Sequence, residues 1–368
     1  MGNGASPEQV VREIQRRALR PFSVEDKGRT SSRGCGASRT LPSCVAMRSW
    51  RRVPMRRILF TMILLSFLVG WSALGRSACG DFGSSTTRCD AGNVACCTKL
   101  GVIYLRGHEV IQSDTRAVEL FRKACEGGDA RGCEKLGTMY DSGRGVVHDT
   151  ARAIELYRKG CDGGIGAACT NLGVMYYAGE GITQDAARAV ALLRKGCEGG
   201  TAAGCTDLGL AYYQGRGVER DEEFASIFFR RGCEGNDPFG CTKLGQVYLE
   251  ISGLAGGEPG GITQAAAHAV YLFRKGCEGG DAIGCTSLGV MYMQGQGVAR
   301  DAARASDLFR KGCDGGNAIG CGNLGFSYLN GEGIAKDDSR AADLLRKGCE
   351  GGQTHACTQL RVLSDKHR

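Results

Sequence analysis

Sixteen of the twenty cysteines fall into eight pairs, each with seven residues between the partners. Cys89 pairs with Cys97, Cys125 with Cys133, Cys161 with Cys169, and Cys197 with Cys205. Cys233 pairs with Cys241, Cys277 with Cys285, Cys313 with Cys321, and Cys349 with Cys357. Thiols at fixed spacing could form a metal centre, a redox pair, a nucleophile or a covalent staple. Tetrahedral zinc needs four ligands, and its cysteines usually stand two to four residues apart. Here the next pair comes a whole repeat later, and the only histidines are at 108, 148, 268, 355 and 367. A thioredoxin-like centre requires Cys-x-x-Cys, which the chain lacks. A lone nucleophile among sixteen equivalent cysteines is equally hard to defend. The expectation is therefore no metal and no cofactor.

The paired cysteines sit in near-identical words, such as "RKGCEGGDAIGC" at 274–285 and "RKACEGGDARGC" at 122–133. The first cysteines recur every 36 residues, apart from one step of 44 between Cys233 and Cys277. Such self-similarity marks a repeat array. Within each unit Cys, Leu, Gly and Tyr occupy offsets 0, 3, 4 and 7, one stripe of a helix. The glycine mid-helix costs roughly 1 kcal/mol of propensity, so its recurrence predicts another helix backbone packed against it. A "GxGV" or "GxGI" segment ends this first helix, where glycine can adopt positive φ. A second helix follows, as in "DAARASDLFRK", with Asp near its start and Arg-Lys in its last turn. One such pair cannot bury its apolar stripe alone, so neighbours must stack.

The "LGxxYxxGxGVxxDxxxA" skeleton resembles the Sel1-like repeat, a relative of the tetratricopeptide repeat, over about 89–368. Two units depart from it. The first has "RGHEVIQSD" at 106–114, and the fifth carries "LEISGLAGGEPGGITQAAAHA" at 249–269, eight residues longer. More narrowly, the cysteine pattern resembles the Helicobacter cysteine-rich protein family, secreted proteins with one disulfide per helical hairpin. The fold implied is all-α: a right-handed α/α superhelical solenoid of about seven 36-residue helix pairs plus a terminal helix. That family is classed as β-lactamases, which implies β-lactam binding and slow hydrolysis. The residues themselves supply no catalytic set for this. No serine is followed three positions later by lysine, and Lys-Thr-Gly is absent.

Geometry bears on the staple reading. Cysteines eight apart on one continuous helix stand about 12 Å apart along its axis, whereas a disulfide needs Cα atoms roughly 4.4–6.8 Å apart. The chain must reverse between them, and "EGGDA" (278–282) provides glycines for the turn and Asp281 for the next N-cap. Each bond closing an eight-residue loop contributes about 2.5 kcal/mol. Cys79 and Cys96 lie outside the pattern. They could bond to each other, or Cys79 in "RSACGD" could carry a lipid.

Residues 1–78 hold 14 Lys/Arg against 4 Asp/Glu, a net of +10 out of the chain's +8, leaving −2 for 79–368. The repeat body therefore offers no electrostatic footprint for nucleic acid. Residues 1–57 read as a basic extension and signal n-region, with Met1, Met47 or Met55 as the start. Residues 58–75 read as an apolar signal or anchor segment, 76–88 as a short linker, and 89–368 as the solenoid. Export to the periplasm or beyond is expected, with any membrane attachment through 58–74 or a lipidated Cys79. The partner expected is a peptide, protein or cell-wall-type ligand on the concave face, or a β-lactam by resemblance. Candidate binding positions lie two residues after each first-helix cysteine: Lys99, Lys135, Asn171, Asp207, Lys243, Ser287 and Asn323. The repeated Tyr is expected in the inter-repeat core, and each Arg-Lys pair as helix C-terminal charge.

Overall fold

The computed structural model describes residues 79–107, 109–254 and 264–366. The extension and apolar segment over 1–78, and residues 255–263 within the longer fifth unit, lie outside them. Sixteen helices and no strand occur among the described residues: α1 (Phe82–Asp90), α2 (Val94–Arg106), α3 (Asp114–Glu126), α4 (Ala130–Ser142), α5 (Thr150–Asp162), α6 (Gly166–Ala178), α7 (Ala186–Glu198) and α8 (Ala202–Gln214). They continue as α9 (Glu222–Glu234), α10 (Pro238–Leu254), α11 (Gln264–Glu278), α12 (Ala282–Gln294), α13 (Ala302–Asp314), α14 (Ala318–Asn330), α15 (Asp338–Glu350) and α16 (Thr354–Lys366). The stretch read as a linker over 76–88 thus already contains the start of α1, which Asp81 caps by accepting from the Ser84 N–H. None of these helices is long and apolar enough to cross a membrane.

Caps explain the regular lengths. At α5, α7, α13 and α15 an Asp before the helix accepts the backbone N–H three residues on, as Asp301 does from Arg304 at 3.0 Å. First helices end on a left-handed glycine, for example Gly143 (φ 64°) and Gly295 (φ 70°). The hairpin turns place their second residue in the same region, and this is glycine except at Asn236 (φ 64°). A side chain in this region is strained, though Asn tolerates it best. Asn236→Gly should therefore stabilise the array by about 0.5 kcal/mol, read as a rise in urea midpoint, whereas Gly280→Ala should destabilise it by about 1 kcal/mol.

Helices pair as first and second members of seven units (α2 with α3, through α14 with α15), and α16 closes the array. Even-numbered helices also pack on the next even-numbered helix along most of the array, while odd-numbered ones are held apart. The even helices therefore line the inner, concave side.

The first-helix Leu (Leu100, Leu136, Leu172, Leu208, Leu244, Leu288, Leu324) is buried in every unit. The glycine beside it receives a side chain rather than the expected helix backbone. Phe121 lies on Gly101, Tyr157 on Gly137, Leu193 on Gly173, Phe229 on Gly209, Phe273 on Gly245, Phe309 on Gly289 and Leu345 on Gly325. The backbone lies just behind, with the Ala225 carbonyl oxygen 3.2 Å from where a Cβ on Gly209 would stand. A methyl group there would sit 2.7 Å from the Phe229 ring, which is why only glycine fits.

All eight periodic cysteine pairs are disulfides, as their spacing and the turn between them require. Cys89 is bonded to Cys97, with Cα atoms 4.7 Å apart, and Cys125 to Cys133 at 4.5 Å. Cys161 is bonded to Cys169 at 4.6 Å, and Cys197 to Cys205 at 4.4 Å. Cys233 is bonded to Cys241, Cys277 to Cys285 and Cys313 to Cys321, each at 4.4 Å. The last bond, between Cys349 and Cys357, has its Cα atoms 4.6 Å apart. Every one of these bonds joins the end of an odd helix to the start of the next even one. The sulfurs of Cys133, Cys169, Cys205 and Cys285 also lie 3.7 Å from their partners' backbone carbonyl oxygens, which places each second cysteine in the first turn of its helix. Outside the period, Cys79 bonds to Cys96, with Cα atoms 5.3 Å apart. Its sulfur is thereby occupied, which removes the lipid attachment as a state of this fold.

Candidate functional site

The predicted row lies on even helices: Lys99 on α2, Lys135 on α4, Asn171 on α6, Asp207 on α8, Lys243 on α10, Ser287 on α12 and Asn323 on α14. Buried Thr or Cys and Leu flank it toward the core, and the row itself stays open. Lys99 is exposed and the other six are half-buried. The structure does not gather the seven into one pocket. It strings them along the inner face, one per unit, and brings Lys99 and Lys135 into a common groove.

That groove, of about 780 Å³, runs over α2 and α4 and is lined by Lys99, Val102, Arg131, Glu134, Lys135 and Ile165 among others. Lys135 pairs with the buried Glu134 at 3.1 Å. At the groove's N-terminal end the Lys99 ammonium donates to the backbone carbonyls of Cys79 and Gly80. The Cys79–Cys96 bond fixes this strap against α2.

Three row residues, Asp207, Lys243 and Asn323, interact with the residue at the start of the next even helix. Asn323 accepts from Gln353 Nε2 at 3.4 Å, and Lys243 feels the charge of Asp281. Burial holds the Lys243 ammonium below its usual range, against that attraction. Position 207 breaks the complementarity, because Asp207 faces Asp237. Burial first, and then the Asp237 charge, push the Asp207 carboxyl up to about 6.

This raised value has a signed consequence. Between about pH 4 and pH 6 the folded chain holds a proton that the unfolded chain has lost, so stability falls as pH rises through that window. Above about 6 the cost of the ionised Asp207 is fully present, on the order of 2–3 kcal/mol. Asp207→Asn should raise stability at pH 7.5 by about 2 kcal/mol and flatten the profile between pH 4 and 6. Urea unfolding of both proteins at pH 4 and 7.5 measures this. Parallel profiles would refute it.

Sequence reasoning missed the apolar flanks of the row. Val174 is 44% exposed and Ile319 52%, and Val102 and Ile165 line the groove. Val174 stands three residues after Asn171, and Ile319 four before Asn323, so helical i, i+3 and i, i+4 spacing would have found both. The inner face is thus a polar row set in apolar surroundings.

The repeated tyrosines behave as expected only in part. Tyr140, Tyr176, Tyr248, Tyr292 and Tyr328 are buried, but Tyr104 and Tyr212 are half-exposed. In several units the arginine of the basic pair is not simply C-terminal charge. Arg122, Arg194, Arg230 and Arg274 donate to the hydroxyls of Tyr140, Tyr212, Tyr248 and Tyr292, eighteen residues on, at 2.9–3.4 Å.

Among the described residues every cysteine is in a disulfide, so none is a free thiol. No group of three or more His, Cys, Asp or Glu among them could hold a metal ion.

A family model described as Sel1 repeat matches seven times, at 94–129, 130–165, 166–201, 202–237, 238–281, 282–317 and 318–353. No curated protein matches the chain. Among solved structures, one from Escherichia coli, described as a protective antigen present in uropathogenic strains displaying an SLR fold, is 31% identical with a TM-score of 0.60. That alignment covers 78% of this chain and 60% of the other, so this chain spans about three fifths of that protein's length. A Sel1 repeat protein from Oxalobacter formigenes is 23% identical over 84% of this chain and 90% of its own, with a TM-score of 0.56. Helicobacter pylori cysteine rich protein B is 27% identical over 37% of this chain and 97% of its own, with a TM-score of 0.29.

Proposed function

The chain belongs to the Sel1 repeat family, and from that premise we propose that it is an exported, disulfide-stapled scaffold that binds a peptide or protein segment along its inner face. The observation that carries this reading is the continuous row from Lys99 to Asn323, open on the even helices and flanked by exposed apolar side chains. Solenoids of stacked helix pairs present such faces to extended ligands. Half-buried polar groups amid apolar surface suit a peptide, whose main chain takes hydrogen bonds while its side chains cover the apolar flanks. Nine disulfides fit an oxidising compartment outside the cytoplasm. The description of the E. coli protein as a protective antigen supports the same placement. A cell-wall peptide is a ligand of the same chemistry, and no observation favours the β-lactam reading over it.

The test is capture from an envelope extract by the oxidised protein. The partner held by the native chain should be lost when Lys99→Glu and Lys135→Glu are combined on the inner face. It should be kept with Lys195→Glu, an exposed residue on α7. Equal retention by the inner-face variant would overturn the assignment of that face.

A further inference from the structure

The outer side of the array carries a second recurring arrangement, which the proposed inner-face function does not use. Odd helices stand apart there and leave grooves between them. Two of these are equivalent in lining: one of about 250 Å³ between α3 and α5, and one of about 290 Å³ between α11 and α13. In the first, Arg122 and Arg152 reach from successive odd helices to the hydroxyl of Tyr140 on α4, at 3.4 and 3.2 Å. Arg152 also lies over the Tyr140 ring, 5.5 Å from its centroid. In the second, Arg274 donates to the Tyr292 hydroxyl at 3.2 Å, and Arg304 lies 5.8 Å from that ring's centroid. Lys159 and Lys311 occupy the corresponding rim positions, and Leu136 and Leu288 the floor.

We propose that these grooves are binding sites for an oxyanion, a carboxylate or a phosphate monoester. The argument begins with an imbalance of donors. Two guanidiniums bring ten N–H groups to one neutral phenol oxygen, which has two lone pairs. With those engaged at Tyr140, the phenol's own O–H has no acceptor among the described residues. Of the two like charges brought to this neutral group, Arg152 is paired with Asp149 and Arg122 has no carboxylate partner among the described residues. An oxyanion at that point would take the phenol O–H and the spare N–H groups of both arginines, in charge-assisted hydrogen bonds.

The groove carboxylates do not supply it. Glu126 and Glu155 line the first groove, and Glu278 and Asp307 the second. Asp307 pairs instead with Arg310 at 2.8 Å, while Asp149 and Asp301, the N-cap residues, pair with Arg152 and Arg304 at 3.1 and 3.3 Å. Even so both arginines keep their hydrogen bonds to the Tyr140 hydroxyl, which hold it below the usual phenol range, Arg152 first and then Arg122. With the N-cap aspartates counted, three cations meet three carboxylates at each groove, so a compact anion would be held by the spare N–H donors rather than by net charge, with its apolar body over the leucine floor.

Position 224 provides an internal control. Phe224 stands where Arg152 and Arg188 stand in their units, and it stacks on Tyr212 with centroids 5.5 Å apart. That groove has one arginine, Arg194, on the hydroxyl, and it should not bind.

The experiment follows the ring signals of labelled tyrosine, of which the chain has 11, while inorganic phosphate or acetate is added at constant ionic strength. The Tyr140 and Tyr292 signals should shift saturably and Tyr212 should not. Arg122→Gln should weaken the Tyr140 response at least tenfold and leave that of Tyr292 intact. Co-sedimentation with phosphatidic acid vesicles, whose headgroup is a phosphate monoester, compared between the native chain and the double variant of Arg122→Gln with Arg274→Gln, distinguishes a lipid headgroup from a free anion as the source. Linear shifts without saturation, or a Tyr140 response unchanged in Arg122→Gln, would overturn the proposal.

Discussion

Reduction of the oxidised protein should unfold it at 25 °C without any denaturant. Each of the eight periodic disulfides closes an eight-residue loop and contributes about 2.5 kcal/mol, so together they supply on the order of 20 kcal/mol. Domains of ordinary stability hold only about 5–15 kcal/mol in reserve. The core offers little to offset such a loss, since small residues fill many of its contacts. The second-helix alanines Ala117, Ala153, Ala189, Ala225, Ala269, Ala305 and Ala341 are wholly buried. Glycines of the first helices face the carbonyls of Ala153, Ala189, Ala225, Ala305 and Ala341. Far-UV circular dichroism after treatment with a strong reductant, thiols then alkylated, should show helicity falling toward that of an unfolded chain. A reduced sample that kept its helicity and melted cooperatively near the oxidised midpoint would show that the staples are accessory. Removing one bond, with Cys197→Ser and Cys205→Ser together, should cost only about 2–3 kcal/mol and leave the array folded.

The second large effect concerns the ring that lies on glycine. Phe229 is 1% exposed and covers Gly209, so Phe229→Ala should cost about 3–5 kcal/mol through lost burial and the cavity left behind. Gly209→Ala should also destabilise, by about 1–3 kcal/mol, although alanine is the better helix former, because its methyl group would stand 2.7 Å from the ring. The two changes occupy the same space, so their costs should not add. The double variant should be more stable than the sum of the singles predicts, by about 1 kcal/mol or more. Urea unfolding of the four proteins completes the cycle. Strict additivity would mean that the ring and the glycine do not share that contact.

Periodicity made much of this fold legible before any coordinates. Cysteine spacing, the Leu-Gly-Tyr stripe and the glycine reversals located both helices of each unit and their covalent tie, because those residues repeat in identity. The partner of the glycine was not legible. It is Phe at 121, 229, 273 and 309 but Tyr at 157 and Leu at 193 and 345, so the position keeps its apolar bulk from unit to unit and varies in letter. The arginine on the tyrosine hydroxyl escaped for a different reason. Arg122 and Tyr140 lie eighteen residues apart on successive helices, a distance at which neither helical nor strand periodicity operates. On the inner face the row from Lys99 to Asn323 was found because it is anchored to the cysteine count. Its apolar flanks are spread over Val and Ile at shifting offsets, and no single letter marks them.

The family's repeat unit runs from the start of an even helix to the turn after the following odd helix, yet every periodic disulfide crosses that boundary, as Cys125 to Cys133 and Cys161 to Cys169 do. The covalent building block is therefore offset by one helix from the repeat unit: an odd helix, its glycine turn and the next even helix. Truncating the array at a unit boundary would separate two bonded cysteines and leave an orphan thiol at the new end, as ending it after Asp129 would strand Cys125. Cutting in the loop between an even and an odd helix removes 36 residues and leaves all remaining bonds whole. The chain's only change of period obeys the same restriction. The extra length of the 44-residue step falls between Cys241, on α10, and Cys277, on α11, in the segment of the unit that no disulfide encloses. Growth and loss of length are thereby confined to one edge of the solenoid, and the stapled edge keeps a constant pitch.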